Sequence, residues 1–201
     1  MGAVRRSHAR MSSHALLVQP PARPPWYLRP ALWIARRITG KDPLPGRLLA
    51  WAPKAAFSVG LFEAAAPHGP KDLDTRVLAI ARIVASAVAG CPFCVDMNAA
   101  TWQRAQLTVD ELKALLAVDE ARWTTFAPRE LAAARYAKAL SATPVLVDEA
   151  LRAQLTACFS AKELVVLAHT IAQVNYWSRF NQGLGVPSAG FFDESVCALP
   201  G

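Results

Sequence analysis

From residue 29 onward the apolar positions recur at three- and four-residue steps, and no stretch alternates with the period of two that a half-buried strand shows. Asn-Gly and Asp-Gly hairpin signals are also absent, so the pattern predicts an all-α chain. Pro30 at a first helical position and Gly40 just past the end frame one short helix, and Pro53 starts or kinks another that ends near Ala66. Pro67-His68-Gly69-Pro70 is a break. Asp72 or Asp74 caps the next helix, which Leu73, Val77, Ile80, Val84 and Val88 mark as largely buried. Gly90 can end it in a left-handed turn; Cys91 then falls at an N-cap position, and Pro92 suits the first turn of a helix reaching about Gln103. Thr108 to Glu111 and Ser160 to Glu163 both match the capping box, in which each side chain closes a free N–H of the first turn. Pro128 opens a helix to about Leu140, Asp148 begins one that ends before Ser160, and the last long helix reaches about Leu184. Residues 78–85 and 166–172 resemble each other weakly, which hints at two pseudo-repeated helical units.

Charge divides the chain unevenly. Residues 1–54 hold ten Lys/Arg and one acid, Asp42, for +9, whereas the remainder holds twelve against fourteen, for −2. Basicity therefore belongs to an arm, extended at Pro20 to Pro25, and the expected division is a basic Pro-rich arm at 1–28 and a single helical domain at 29–201. A solvated or partner-wrapping arm is expected, with no nucleic acid and no membrane as partners. The longest apolar stretch, Val77 to Gly90, is interrupted by Arg82 and falls short of the ~20 residues a membrane span needs. No apolar run follows Arg5, Arg6 and Arg10, and Arg6 stands where a myristoylation motif beginning at Gly2 wants Ser or Thr; a cytoplasmic location is expected, with Met11 a candidate start.

The pointed chemical feature is Cys91-Pro92-Phe93-Cys94. Cysteines three apart on a helix share a face and can close a small disulfide ring, and the positive end of a helix dipole favours the thiolate that attacks peroxide or a disulfide. Two other readings are open. The pair could be half a zinc site, although Cys158 and Cys197 stand alone with no second CxxC or paired His; or both cysteines could be inert core. A static disulfide is not expected in a reducing compartment. No phosphate loop, Ser-His-Asp order or HExxH motif occurs, and neither metal nor other cofactor is expected.

The run from Ala85 through Gly90, Cys91 and Cys94 to Asn98 resembles the helix-turn-helix signature of the alkylhydroperoxidase D and carboxymuconolactone decarboxylase family, in its CxxC-containing branch. The segment from Phe159-Ser160 to Asn175, Arg179, Phe180 and Asn181 is similar to the closing helix of its longer members, and the likeness spans about residues 40–190. The resemblance implies a helical bundle and a homo-oligomer acting as a peroxidase or thiol-disulfide oxidoreductase. Its substrate would be a peroxide or disulfide, and its electron donor a thiol such as a lipoylated protein or a peroxiredoxin. It implies that Cys94 is oxidised to a sulfenic acid while Cys91 donates the proton and closes the disulfide. Helix-dipole physics alone prefers the reverse, since Cys91 sits nearer the positive end.

The family relay places a Glu twelve residues before the first cysteine and a His four after the second; here Ala79 and Asn98 occupy those positions and cannot shuttle a proton. Such assistance is typically worth about 10²–10⁴-fold. Glu63, His68, Asp96 and His169 are the candidate substitutes, with His169 preferred and a hydrogen-bonded core histidine as its alternative. Asp96 lies two positions past Cys94 and points to a different side of the helix; Asn98 either donates to a sulfur or caps locally. Asn175, Arg179 and Asn181 are expected on one polar face, and Trp102, Trp123 and Trp177 as packing anchors. The runner-up to redox chemistry is a non-redox ligand- or partner-binding oligomer, followed by a decarboxylase or lactonase. The redox reading requires both sulfurs to be reachable from bulk water.

Overall fold

The computed structural model describes residues 16–65, 68–193 and 195; Gly2, Arg5, Arg6, Arg10, Met11, Ala66, Pro67 and Cys197, invoked above, lie outside them. Among the described residues there are nine α-helices and no strand. These are α1 (Arg29–Thr39), α2 (Leu44–Leu49), α3 (Pro53–Ala65), α4 (Thr75–Ala89), α5 (Pro92–Ala99), α6 (Val109–Leu116), α7 (Pro128–Ser141), α8 (Glu149–Cys158) and α9 (Ala161–Leu184). The all-α expectation holds.

Local chemistry explains the starts. Asp74, not Asp72, caps α4 by accepting from the N–H groups of Arg76 and Val77. Thr108 with Glu111 and Ser160 with Glu163 form reciprocal capping boxes, and Asp148 accepts from Leu151 N–H at the start of α8. Two elements differ from expectation. α2, the six residues Leu-Pro-Gly-Arg-Leu-Leu, has no side-chain cap and is too short to show periodicity. α5 stops at Ala99 rather than near Gln103, because Thr101 turns its hydroxyl and its N–H back to the Asn98 carbonyl, and the chain then coils to Gln106 at φ 55°.

α4 is central and packs on α5, α6, α7 and α9. It is apolar around most of its circumference, burying Val77, Leu78, Ile80, Ile83 and Val84 among others, as a helix surrounded by helices must. α7, which packs on it, buries Ala132, Ala133, Ala134 and Ala137, small side chains that let neighbouring helices approach closely. The two sequence segments that resemble each other lie on α4 and α9, which contact one another directly. Arg76 ties the start of α4 to α6 and α7 through Glu111 at 2.6 Å and Glu130 at 2.7 Å. At the other extreme, α1 buries no residue and leaves Trp33, Ile34 and Ile38 exposed. No single helix among the described residues is long and apolar enough to cross a membrane.

Candidate functional site

The site begins where α4 ends. Gly90 adopts φ 67°, a left-handed value that a side chain resists, and its N–H closes on the Ser86 and Ala87 carbonyls. The turn delivers Cys91 in extended conformation at the N-cap of α5, with Pro92 in the first turn. Cys91 Sγ accepts the Cys94 backbone N–H at 3.2 Å. The two cysteines are joined as a disulfide, with Cα atoms 5.2 Å apart.

Neither sulfur meets bulk water in this conformation: Cys91 is 0% and Cys94 1% exposed. The accessibility expected of a redox pair is therefore not met in this structure. The physical reason is a small apolar cluster, separate from the main core, in which Leu48, Phe93 and Val186 surround the sulfurs. Leu16, Leu44, Trp177, Phe180, Ala189 and Phe191 pack against it from outside.

The polar group brought to the pair is Asn181, 1% exposed near the end of α9, whose Nδ2 lies 3.5 Å from Cys94 Sγ. Its Oδ1 has no hydrogen-bond partner among the described residues, and neither has Ser178 Oγ one turn earlier. A side-chain amide there can donate to a thiolate or accept from a thiol.

The expected relay residues are placed elsewhere. Asn98 Nδ2 donates to the Cys94 carbonyl at 2.9 Å, one turn back, and does not meet a sulfur. Asp96 faces the segment after α9: Oδ2 accepts from Ala189 N–H at 2.8 Å and Oδ1 from Phe192 N–H at 2.7 Å. Burial pushes this carboxyl up, but the N–H groups of Phe192, Phe191 and Ala189 and the Ser188 hydroxyl outweigh it and hold the pKa below the usual carboxylate range. His169 Nδ1 lies 2.9 Å from His68 Nε2 and packs on Phe62. It stands twelve residues before Asn181 on one straight helix, roughly 18 Å along the axis at ~1.5 Å per residue, so it is not beside the sulfurs. Burial, then the neighbouring His169, lower the His68 pKa.

Glu63 comes nearer: its Oε1 accepts from Trp177 Nε1 and from Gln173 Nε2, both at 2.8 Å, and the Trp177 ring packs on the cysteine cluster. Asn175, Arg179 and Asn181 do not share a face. Asn175 reaches Ser141 Oγ, Arg179 is exposed and Asn181 is buried. Trp123 is 2% exposed and donates to the Ala114 carbonyl, and Trp102 packs on the main core. Cys158, half-buried at the end of α8, is a free thiol. Among the described residues no group of three His, Cys, Asp or Glu is placed to hold a metal. The covering segment carries no local motif; the apolar Val186 and Phe191-Phe192 after Gly185 are its trace in the sequence.

Residues 55–139 match the model of the carboxymuconolactone decarboxylase family. The chain is 33% identical over 178 residues to the uncharacterized protein YnjA of Escherichia coli K12, spanning 88% of this chain and 93% of that one. Among solved structures it resembles the debrominase Bmp8, with TM-score 0.71 and 22% identity over 87% of this chain and 93% of the other; that protein has also been solved with 2,3,4-tribromopyrrole. It further resembles an Agrobacterium tumefaciens protein of unknown function, a candidate antioxidant defence protein AhpD, with TM-score 0.61 and 22% identity over 70% and 94%. At these identities the structural likeness is one of fold. Together, the family match and the sequence relative lead to one statement: the chain belongs to the carboxymuconolactone decarboxylase family, and it carries a CxxC pair at its α4–α5 turn.

Proposed function

We propose that the protein is a thiol-disulfide oxidoreductase or slow peroxidase that cycles Cys91 and Cys94 between dithiol and disulfide. The observation that carries the reading is their joint position on the first turn of α5, already paired, with a donor at each sulfur: Cys94 N–H for Cys91 and Asn181 Nδ2 for Cys94. In the peroxide reaction one thiolate attacks the peroxide oxygen, releasing an alcohol or water and leaving a sulfenic acid. The second sulfur then displaces water to close the disulfide, so two thiols are oxidised for each peroxide reduced. A dithiol donor, such as a lipoylated protein, or a peroxiredoxin-linked thiol, returns the two electrons. Following the family, Cys94 attacks and Cys91 resolves. Ala79 and Asn98 stand where relay groups would be, which favours exchange with disulfides over fast peroxide turnover. His169, Asn98 and Asp96 are assigned no proton transfer at sulfur, given the partners they hold.

The test starts from reduced protein and counts thiols and intact mass after one equivalent of hydrogen peroxide or oxidised lipoamide. Loss of two thiols and two hydrogens, mapped to Cys91 and Cys94, is expected. Retention of both thiols would sink the proposal. Burial of both sulfurs favours a second reading, a non-redox binding scaffold stapled at the α4–α5 turn. On that reading, replacing both cysteines by serine leaves ligand binding unchanged and peroxide consumes no thiol.

We also propose self-association. Trp33, Ile34 and Ile38 on α1, within the basic residues 1–54, and Phe57 and Leu61 on α3 are exposed, while the chain from residue 55 onward is net acidic. Light scattering should give a multiple of the 21.7 kDa chain mass; a monomer at micromolar concentration refutes it.

A further inference from the structure

The segment that follows α9, residues 186–193, is irregular chain. Val186, Ala189 and Phe191 turn inward onto the cysteine cluster, whereas Pro187, Ser188 and Gly190 face solvent. Besides Phe192, which packs on the main core, three attachments hold it. Val186 N–H donates to the Asn181 carbonyl at 2.9 Å, and Phe191 sets its ring edge-on to Phe93 at 5.7 Å. The third is Asp96, two residues past Cys94, which receives one backbone N–H on each carboxylate oxygen. Gly190 at φ 71° makes the bend that aims Ala189 N–H and Phe192 N–H at the same carboxylate. The residue after the thiol pair and the chain that covers it are thus built for one another across more than ninety positions of sequence.

We propose that residues 186–193 form a gate over the Cys91–Cys94 pair, and that Asp96 is the positioning residue that holds the gate shut. The inference deepens the redox reading: the pair exchanges with a small dithiol or disulfide when this segment lifts, while the α4–α5 turn stays folded beneath it. A strap of irregular chain, held by hydrogen bonds to Asp96, one backbone bond to Asn181 and side-chain packing, opens at lower free energy than the α4 core. When opening is fast relative to the chemistry, reaction at sulfur follows the open fraction.

The experiment uses the full-length oxidised protein. Dithiothreitol attacks the disulfide, its two thiols become a cyclic disulfide, and Cys91 and Cys94 take up two electrons and two protons. Alkylation at timed points, read peptide by peptide, separates this pair from Cys158 and Cys197. Asp96→Asn keeps the shape but can accept on only one oxygen, and should speed reduction at least about tenfold. Hydrogen exchange of 186–193 should rise with it, while Cys158 alkylates at the wild-type rate. Phe191→Ala, which leaves Asp96 intact, should give a smaller acceleration at the same pair, and Asp96→Glu should recover part of the protection. An unchanged rate in Asp96→Asn whose 186–193 amides have lost protection overturns the gate. Equal acceleration at Cys158 in both variants also overturns it, because the whole fold has then loosened. Failure here alongside two-thiol loss under peroxide leaves the redox reading intact; a working gate over a pair that peroxide and lipoamide never oxidise rejects that reading instead.

Discussion

Two apolar clusters meet along α9 and are built on opposite plans. The main core, where α4, α7 and α9 converge, buries Ile80, Ile83, Leu112, Leu167 and Ile171 completely, and every one of them lies on a helix packed by other helices. The cysteine cluster holds five buried residues, Leu48, Cys91, Phe93, Cys94 and Val186, and part of its outer wall is a single pass of irregular chain. Both exclude water equally well in this structure. What differs is the cost of removing the wall: the first requires global unfolding, the second only local release. Burial alone therefore does not separate an inert cysteine from a guarded one; what covers it does.

The largest expected effect tests that contrast directly. Leu167→Ala should cost about 2–5 kcal/mol in urea unfolding, because the surrounding helices cannot close the cavity, and it should raise alkylation at Cys158 along with the pair. Val186→Ala should cost no more than about 1–2 kcal/mol for its lost methyl groups, with the change in reactivity confined to Cys91 and Cys94. Equal global losses from the two substitutions would erase the distinction between the clusters.

The smallest effect lies at the start of α9, the helix that both clusters share. The Ser160 backbone N–H first, then the Arg129 guanidinium and the Ser160 hydroxyl, lower the Glu163 pKa from its usual 4.5 to about 2. A depressed carboxylate stabilises the fold above its unfolded value, so this contribution is complete above pH 4.5 and is lost as the pH falls through about 2. Glu163 is solvent-screened, so Glu163→Gln should remove no more than about 1 kcal/mol at neutral pH. It should also flatten the acid limb of the urea midpoint between those pH values; an unaltered limb would discount the cap.

The helices were legible because their ends carry local chemistry. Asp74, Gly90, Pro92, the two capping boxes, Pro128 and Asp148 each act within four residues of themselves. α2 escaped because six residues bearing Pro and Gly show neither period nor cap. Of the site, the pairing of the two cysteines at a helix start could be read from their spacing and from Gly90. The partners of the other residues could not. In sequence Asn181 joins Asn175 and Arg179 as one polar face, yet the three diverge through half-burial against Ser141, exposure and full burial against Cys94. Asp96 reads locally as one more polar residue, because the N–H groups it receives lie more than ninety residues away. His169 likewise found its partner in His68, a hundred and one positions earlier.

Cys91 also does a second job whose consequence reaches past its own bond. Its sulfur is the capping acceptor for the Cys94 N–H, so gaining or losing electrons alters the very atom on which α5 begins. A free thiolate accepts that N–H more strongly than a bonded sulfur does, because the hydrogen bond then has an ionised partner. On the redox reading proposed above, the start of α5 therefore favours the reduced pair, and the helix takes part in the couple.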